Sequence, residues 1–331
     1  WLVLGTGGEL EASDVRIDVR ASGTTARFIT AVAALARGRV VVDGVPRMRE
    51  RPIGPLVEAI RALGGRATDT DGFPPVEIDG SGGLRGGEVF VDSSQSSQFA
   101  SALLLVAPLA EGPTTIELGE RVASRSYLDG TVEIMRRFGA EVAADGNRFV
   151  VQPTGYHKAH IDIEPDASAA VYPAVAAAIT GGVVEIPGIP PESSQPDLAV
   201  LDVLSLMGAT VVRRDDTIRV EGPTGRLAAV EVDMADAPDG AMAVAVAALF
   251  ADGPSRIHGL STLRHKETDR LSALENELRR LGGGAEMQGD TLVVTPGELH
   301  GAEIATYGDH RMAMAFALVG LVVEGVSIAD P

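Results

Sequence analysis

Residues 87–155 read GEVFVDSSQSSQFASALLLVAPLAEGPTTIELGERVASRSYLDGTVEIMRRFGAEVAADGNRFVVQPTG, one whole copy of the unit from which the chain is built. Glu88 to Asp92 alternates with β-branched residues and predicts a strand. Gln98 to Ala110 is almost wholly apolar and predicts a helix enclosed on all sides. Thr114 to Leu118 predicts a second strand. Tyr127 to Phe138 sets Leu128, Val132, Met135 and Phe138 on one face, so it predicts an amphipathic helix, which Gly139 ends as a cap. Glu141–Ala143 and Arg148–Gln152 predict a closing hairpin about the turn Asp145-Gly146. The unit is β-α-β-α-β-β.

Working outward, the same marks return. A small-residue helix runs into a Gly-led strand at Gly38, Gly112, Gly182, Gly253 and Gly325, with gaps of 74, 70, 71 and 72 residues. An amphipathic helix ends in a hydrophobic residue plus glycine at Gly64, Gly139, Gly208 and Gly282, with gaps of 75, 69 and 74. So regular a period means one supersecondary unit copied several times. Leu2-Val3-Leu4-Gly5 is expected to be the closing strand of a copy whose front is missing. Val326 to Ala329 is expected to be the second strand of a copy whose back is missing. The expectation is a piece of a longer protein with six copies.

Composition narrows the classes. With 331 residues, 45% of them hydrophobic, the chain can fill two domains with cores. A formal charge of −18 repels a polyphosphate backbone and argues against nucleic acid. Cysteine is absent, which excludes disulfides, thiolate metal sites and a cysteine nucleophile, and permits the cytoplasm, the expected location. The longest apolar run, Met312 to Val323, is too short to span a bilayer and predicts a buried helix. No membrane association is expected. Gly5-Thr6-Gly7-Gly8 is only a weak nucleotide-loop pattern, since no helix is expected to begin there. His157 and His160 read as solvated, and no metal signature appears.

Polar residues gather before the helices. Ser22-Gly23-Thr24-Thr25 with Arg27, Ser96-Ser97-Gln98, Asp166-Ala167-Ser168, Asp239-Gly240 and Asp309-His310-Arg311 precede the buried helices. Arg47 to Pro52, Ser124 to Tyr127 and Arg264 to Arg270 precede the amphipathic ones. A helix N-terminus attracts anions, although Ser, Thr and Asp there are most often plain caps. Arg51 and Lys266 are different, because a cation at a helix start opposes the dipole and calls for an anionic ligand. Lys266 and Arg270 share one face and repel unless an anion lies between them. Asp239 and Glu267 stand among these cations as candidates for acid–base work.

Five strings, SGTTARF (22–28), PRMRERPIG (46–54), SSQF (96–99), KETDR (266–270) and DHRMAM (309–314), occur together and in this order. On them, the chain resembles the 5-enolpyruvylshikimate-3-phosphate synthase family over essentially its whole length. The resemblance implies a mixed α/β (α+β) fold of two domains, each of three βαβαββ units about a pseudo-threefold axis, closing over a central cleft. It implies a lobe of residues 1–160 on the shikimate 3-phosphate side, its first repeat cut short, and a second lobe of residues 161–331, its last repeat cut short. Gly23, Thr24, Arg51, Gln98, Arg270 and Arg311 would hold phosphoenolpyruvate. Ser96, Ser97, Gln98, Ser124, Tyr127, Asp239 and Lys266 would hold shikimate 3-phosphate. Asp239 would act as base on the 5-hydroxyl, and Glu267 would move the proton at the enolpyruvyl methylene, with Lys266 beside them. No cofactor or metal is implied; the partners are the two small-molecule substrates, and a monomer is expected.

The chain departs from the family pattern in places. A Lys-Ser motif and a Lys-containing segment of the family would lie before Trp1 and after Pro331, which implies impaired turnover for the chain as it stands. Ala21, Thr262 and Gly308 stand where Asn is often found. The rival with the same fold, the UDP-N-acetylglucosamine enolpyruvyl transferase, usually carries a loop cysteine that is absent here. The RNA 3′-phosphate cyclase would want a basic surface. A silent anion-binding fragment is the alternative outside enzymes.

Overall fold

A computed structural model describes residues 2–80 and 83–330. The chain divides into two compact units, Trp1–Ile161 and Asp162–Pro331.

The first unit holds two complete copies of the repeat. One comprises β1 (Val15–Asp18), α1 (Gly23–Ala33), β2 (Arg39–Asp43), α2 (Gly54–Ala62), β3 (Arg66–Thr70) and β4 (Phe73–Asp79). The other comprises β5 (Gly87–Val91), α3 (Gln98–Val106), β6 (Thr114–Leu118), α4 (Ser126–Arg137), β7 (Val142–Asp145) and β8 (Arg148–Val151). Their sheets have the same order, β1-β2-β4-β3 and β5-β6-β8-β7. In each, the first two strands run parallel, as a helical crossover requires, and the closing hairpin pairs antiparallel to the second strand. The hairpin of the second copy turns at Gly146-Asn147, one residue beyond the expected Asp145-Gly146, because Asp145 is already paired with Arg148.

In the second unit, α5 (Ala167–Thr180), β9 (Val183–Pro187), α6 (Ala199–Leu206), β10 (Thr210–Arg214) and β11 (Thr217–Glu221) form a copy that, among the described residues, lacks its first strand. Ile161 and Ile163 alternate as a strand would, yet Ile163 is 85% exposed and Pro165 follows. That segment is where the chain passes from one unit to the other. The full pattern returns in β12 (Glu231–Asp233), α7 (Ala241–Ala248), β13 (Ser255–His258), α8 (Arg270–Arg280), β14 (Gly284–Gln288) and β15 (Thr291–Thr295). The last elements are β16 (Glu303–Ile304), α9 (His310–Ala317) and β17 (Ser327–Ile328), with β16 and β17 parallel.

Two helix types divide the labour. Helix α7 is apolar all round, and each of its eight residues is fully buried. Helix α8 is amphipathic and buries Leu271, Leu274 and Leu278 on one face. Each such leucine contributes about 1.5–3 kcal/mol through burial. Gly64, Gly139, Gly208 and Gly282 end α2, α4, α6 and α8 with φ of +91°, +85°, +100° and +92°. A Cβ is strained there, so the spacing of these glycines reports the repeat.

Two end expectations fail. Leu2, Val3 and Leu4 enter no strand and are 84–85% exposed, since no partner strand among the described residues lies beside them. The run Met312 to Val323 is helical only to Ala317, then tightens into a 3-10 turn at Val319–Leu321 that leaves Leu321 and Val322 exposed. Among the described residues, no helix is long and apolar enough to cross a membrane.

Candidate active site

In the first unit, Ser22 caps α1 by accepting from the Thr25 N–H at 3.3 Å. Gly23 follows, and two buried guanidinium groups lie against it. A Cβ on Gly23 would fall 2.3 Å from Arg27 Nη1 and 2.4 Å from Arg51 Nη2. The three arginines of PRMRERPIG therefore differ. Arg47 pairs with Glu50 at 2.9 Å. Arg49 chelates Asp43 at 2.9 and 2.7 Å, and these hydrogen bonds hold the Asp43 carboxyl below its usual range. Arg51 turns inward to Gly23 and donates to the Ala21 carbonyl at 2.8 Å. Thr24 and Gln98 join the starts of α1 and α3 through a 2.9 Å bond from Gln98 Nε2 to Thr24 Oγ1. Ser96 accepts from the Gln98 N–H at 3.3 Å, and Ser97 is buried. Ser124 has a left-handed backbone at φ +50° and receives the Tyr127 N–H at 3.2 Å.

In the second unit, charged residues from the starts of α7, α8 and α9 meet. Asp239 lies 3.1 Å from Lys266 Nζ, 2.9 Å from Arg270 Nη1 and 3.3 Å from Arg311 Nη2. Arg270, with a side chain only 1% exposed, also donates to Glu267 at 2.7 Å and to Asp309 at 2.7 and 3.2 Å. Four of the five N–H donors of its guanidinium are thus taken by three carboxylates. Asp309 also caps α9 by accepting from the Arg311 N–H at 2.9 Å. Tyr172, in α5, is hydrogen-bonded to Arg311. Burial opposes the charge of Asp239, but Lys266, Arg270 and Arg311 outweigh it and hold the carboxyl well below the usual carboxylate range.

The geometry corrects two steps of the sequence argument. Arg51 and Lys266 do not begin helices; each is the C-cap of a five-residue 3-10 helix, Pro46–Glu50 and Ser261–His265. A cation there agrees with the helix dipole and needs no ligand to explain it. The anion between Lys266 and Arg270 is Asp239 itself. Asp166 caps α5 by accepting from the Ser168 N–H at 2.9 Å. His157 and His160 are exposed, and no metal-binding cluster occurs among the described residues.

The profile of the family described as EPSP synthase (3-phosphoshikimate 1-carboxyvinyltransferase) matches residues 1–331. The chain belongs to the EPSP synthase family. Among curated relatives, the 3-phosphoshikimate 1-carboxyvinyltransferase of Methanoculleus marisnigri is 44% identical over 334 residues, covering 99% of this chain and 78% of the relative. Those of Nostoc punctiforme and Serratia proteamaculans are 42% and 45% identical, each covering 99% of this chain and 77% of the relative. Among solved structures, an EPSP synthase from Acinetobacter baumannii superposes with a TM-score of 0.76 at 26% identity, over 96% of this chain and 74% of that one. The two-unit mixed α/β architecture is that of the EPSP synthase family.

Two members of the second cluster, Tyr172 and Asp197, go unnamed in the sequence pattern, and a third, Asp309, is named there without its partner. Asp309 was visible in DHRMAM, but its chelation of Arg270 links residues 39 apart in sequence. Tyr172 had a signal, as a phenol in a helix otherwise of Ala, Val, Ser, Pro, Ile and Thr. Asp197 gave none. It is 2% exposed, its carboxylate accepts from Ser168 Oγ, and burial pushes its pKa up.

Proposed function

We propose that the chain transfers the enolpyruvyl group of phosphoenolpyruvate to the 5-hydroxyl of shikimate 3-phosphate, releasing inorganic phosphate. The family match over residues 1–331 supports the reaction. The observation that carries the chemistry is Asp239, a carboxylate ringed by Lys266, Arg270 and Arg311.

The reaction is an addition followed by an elimination. A proton adds to the methylene carbon of phosphoenolpyruvate as the 5-hydroxyl oxygen bonds to the adjacent carbon and loses its own proton. The tetrahedral ketal phosphate then expels phosphate and gives up a methyl proton, restoring the double bond. Arg51 and Arg311 hold the carboxylate and phosphate of phosphoenolpyruvate, for which forked guanidinium donors are suited, and Arg270 adds the one N–H its carboxylate partners leave. Gly23, Thr24 and Gln98 complete that side. Ser96, Ser97, Gln98, Ser124, Tyr127 and Lys266 hold shikimate 3-phosphate. Asp239 takes the hydroxyl proton, and Glu267 handles the proton at the methylene.

The charge arrangement supports a sequence of events. An ion-paired carboxylate is a weak base. Substrate anions that draw Lys266 and Arg311 to themselves strip Asp239 of counter-ions, and its basicity rises once both substrates are bound. Donors aimed at the departing phosphate then contribute about 10²–10³ in rate each. We further propose that the protein acts as a monomer in the cytoplasm, which the absence of cysteine permits.

The test is phosphate release. Release from phosphoenolpyruvate that requires shikimate 3-phosphate is the expected result. Release driven by UDP-N-acetylglucosamine instead overturns the substrate assignment. Calorimetric binding of both substrates without release overturns the enzyme reading in favour of a silent domain.

A further inference from the structure

The segment Ala305–Arg311 delivers Arg311 to the ion-pair cluster, and helix α8 grips that segment at two points. Arg270 and Glu277 are seven residues apart, two helical turns, and so lie on one face of α8. Arg270 chelates Asp309. Glu277, fully buried, accepts from Tyr307 OH at 2.7 Å and from the Ala305 N–H at 3.2 Å, and pairs with Arg280 Nε at 3.0 Å.

Tyr307 is the unusual member. Its φ is +55°, in the left-handed region where a bulky side chain is strained, and Gly308 follows at +69°. Glycine or asparagine is the ordinary choice for such a turn, and Gly308 supplies it at the next position. A strained aromatic whose hydroxyl reaches a buried carboxylate calls for a reason beyond turn-making. The site supplies one, because the next non-glycine residue is Asp309, whose carboxylate accepts both from the Arg270 guanidinium and from the backbone N–H of Arg311. Position 277 lies among Leu274, Leu278 and Leu281, where an apolar residue would serve the core alone. A buried charge there is costly unless its partners are met, and here the donors of the 305–307 segment meet it.

We propose that Glu277 and Tyr307 are positioning residues for substrate binding. The Glu277 carboxylate locks Tyr307 in its left-handed turn, and the lock fixes where Asp309 meets Arg270 and the direction in which Arg311 presents itself to phosphoenolpyruvate. The inference rests on the assignment of Arg311 to that substrate.

The test uses the intact chain with Tyr307→Phe, which removes only the hydroxyl, and Glu277→Gln, which keeps the shape and one acceptor. Tyr307→Phe is expected to raise the KM for phosphoenolpyruvate about tenfold, with the KM for shikimate 3-phosphate within about twofold, because small misplacements of a substrate-gripping group are costly. Backbone amide exchange at Asp309–Arg311 is expected to quicken about tenfold in both variants, while exchange in α7 stays as in the parent. A lower melting temperature with both KM values unchanged overturns the proposal, since that is the mark of a purely structural contact. So does unchanged exchange at Asp309–Arg311, or an equal rise in both KM values. A parent chain that releases no phosphate contradicts the function assignment instead, and the exchange measurement then decides the lock alone.

Discussion

Replacing Gly23 with alanine tests whether Arg51 serves substrate rather than fold. The new Cβ would stand 2.3 Å from Arg27 Nη1, 2.4 Å from Arg51 Nη2 and 2.7 Å from Arg51 Cζ. Ordinary contact needs about 3.5 Å, so each guanidinium must retreat by roughly 1 Å. Neither group is a loose end. Arg27 and Arg51 are 3% and 5% exposed, and they are tied to the carbonyls of Pro52 and Ala21 at 2.9 and 2.8 Å. A displacement of about 1 Å in a substrate-gripping group costs on the order of 10²-fold in catalysis, which is about 2.7 kcal/mol. Stability changes less, because alanine gains up to about 1 kcal/mol over glycine in a helix while overpacking costs about 1–3 kcal/mol. Steady-state kinetics with each substrate varied in turn, beside thermal unfolding, separates the two effects. The expected outcome is a KM for phosphoenolpyruvate raised about 10–100-fold, with the KM for shikimate 3-phosphate nearly unchanged. An unchanged KM for phosphoenolpyruvate in a folded variant would refute the reasoning, since the guanidinium would have moved without consequence.

Two further outcomes follow from the charge cluster. Arg270→Ala leaves the fully buried Asp309 side chain without its chelating partner; breaking such a pair costs about 3–5 kcal/mol, or a fall in melting temperature of roughly 10 °C, read by calorimetry. Asp239 has its pKa lowered by Lys266, Arg270 and Arg311 against burial, so its stabilisation is present above the unfolded carboxylate pKa of about 3.9 and is lost as pH falls below it. Asp239→Asn is therefore expected to flatten the acid limb of the stability–pH curve, and an acid limb identical to the parent's would count against the ionised state of Asp239.

What was legible in the sequence was whatever acts locally. The caps at Gly64, Gly139, Gly208 and Gly282 and the leucine stripe of α8 need only near neighbours to be recognised, and they define the repeat. What escaped depends on topology. Two of the three partners of Arg270 come from residues 31 and 39 positions away, so nothing in KETDR discloses that its arginine is engaged by Asp239 and Asp309 as well as by Glu267. The 3-10 turns before Arg51 and Lys266 are five residues long, too short to show a period, so both cations were assigned to helix starts.

The central claim is that Arg51 and Arg311 each grip phosphoenolpyruvate. Initial rates of phosphate release, measured over a grid of both substrates for Arg51→Ala and Arg311→Ala, test it directly. Each variant is expected to raise the KM for phosphoenolpyruvate by about 10² or more, with shikimate 3-phosphate affinity within about threefold of the parent, as loss of a charge-assisted anion contact requires. If either variant saturates with phosphoenolpyruvate at the parent's concentration, the claim is contradicted.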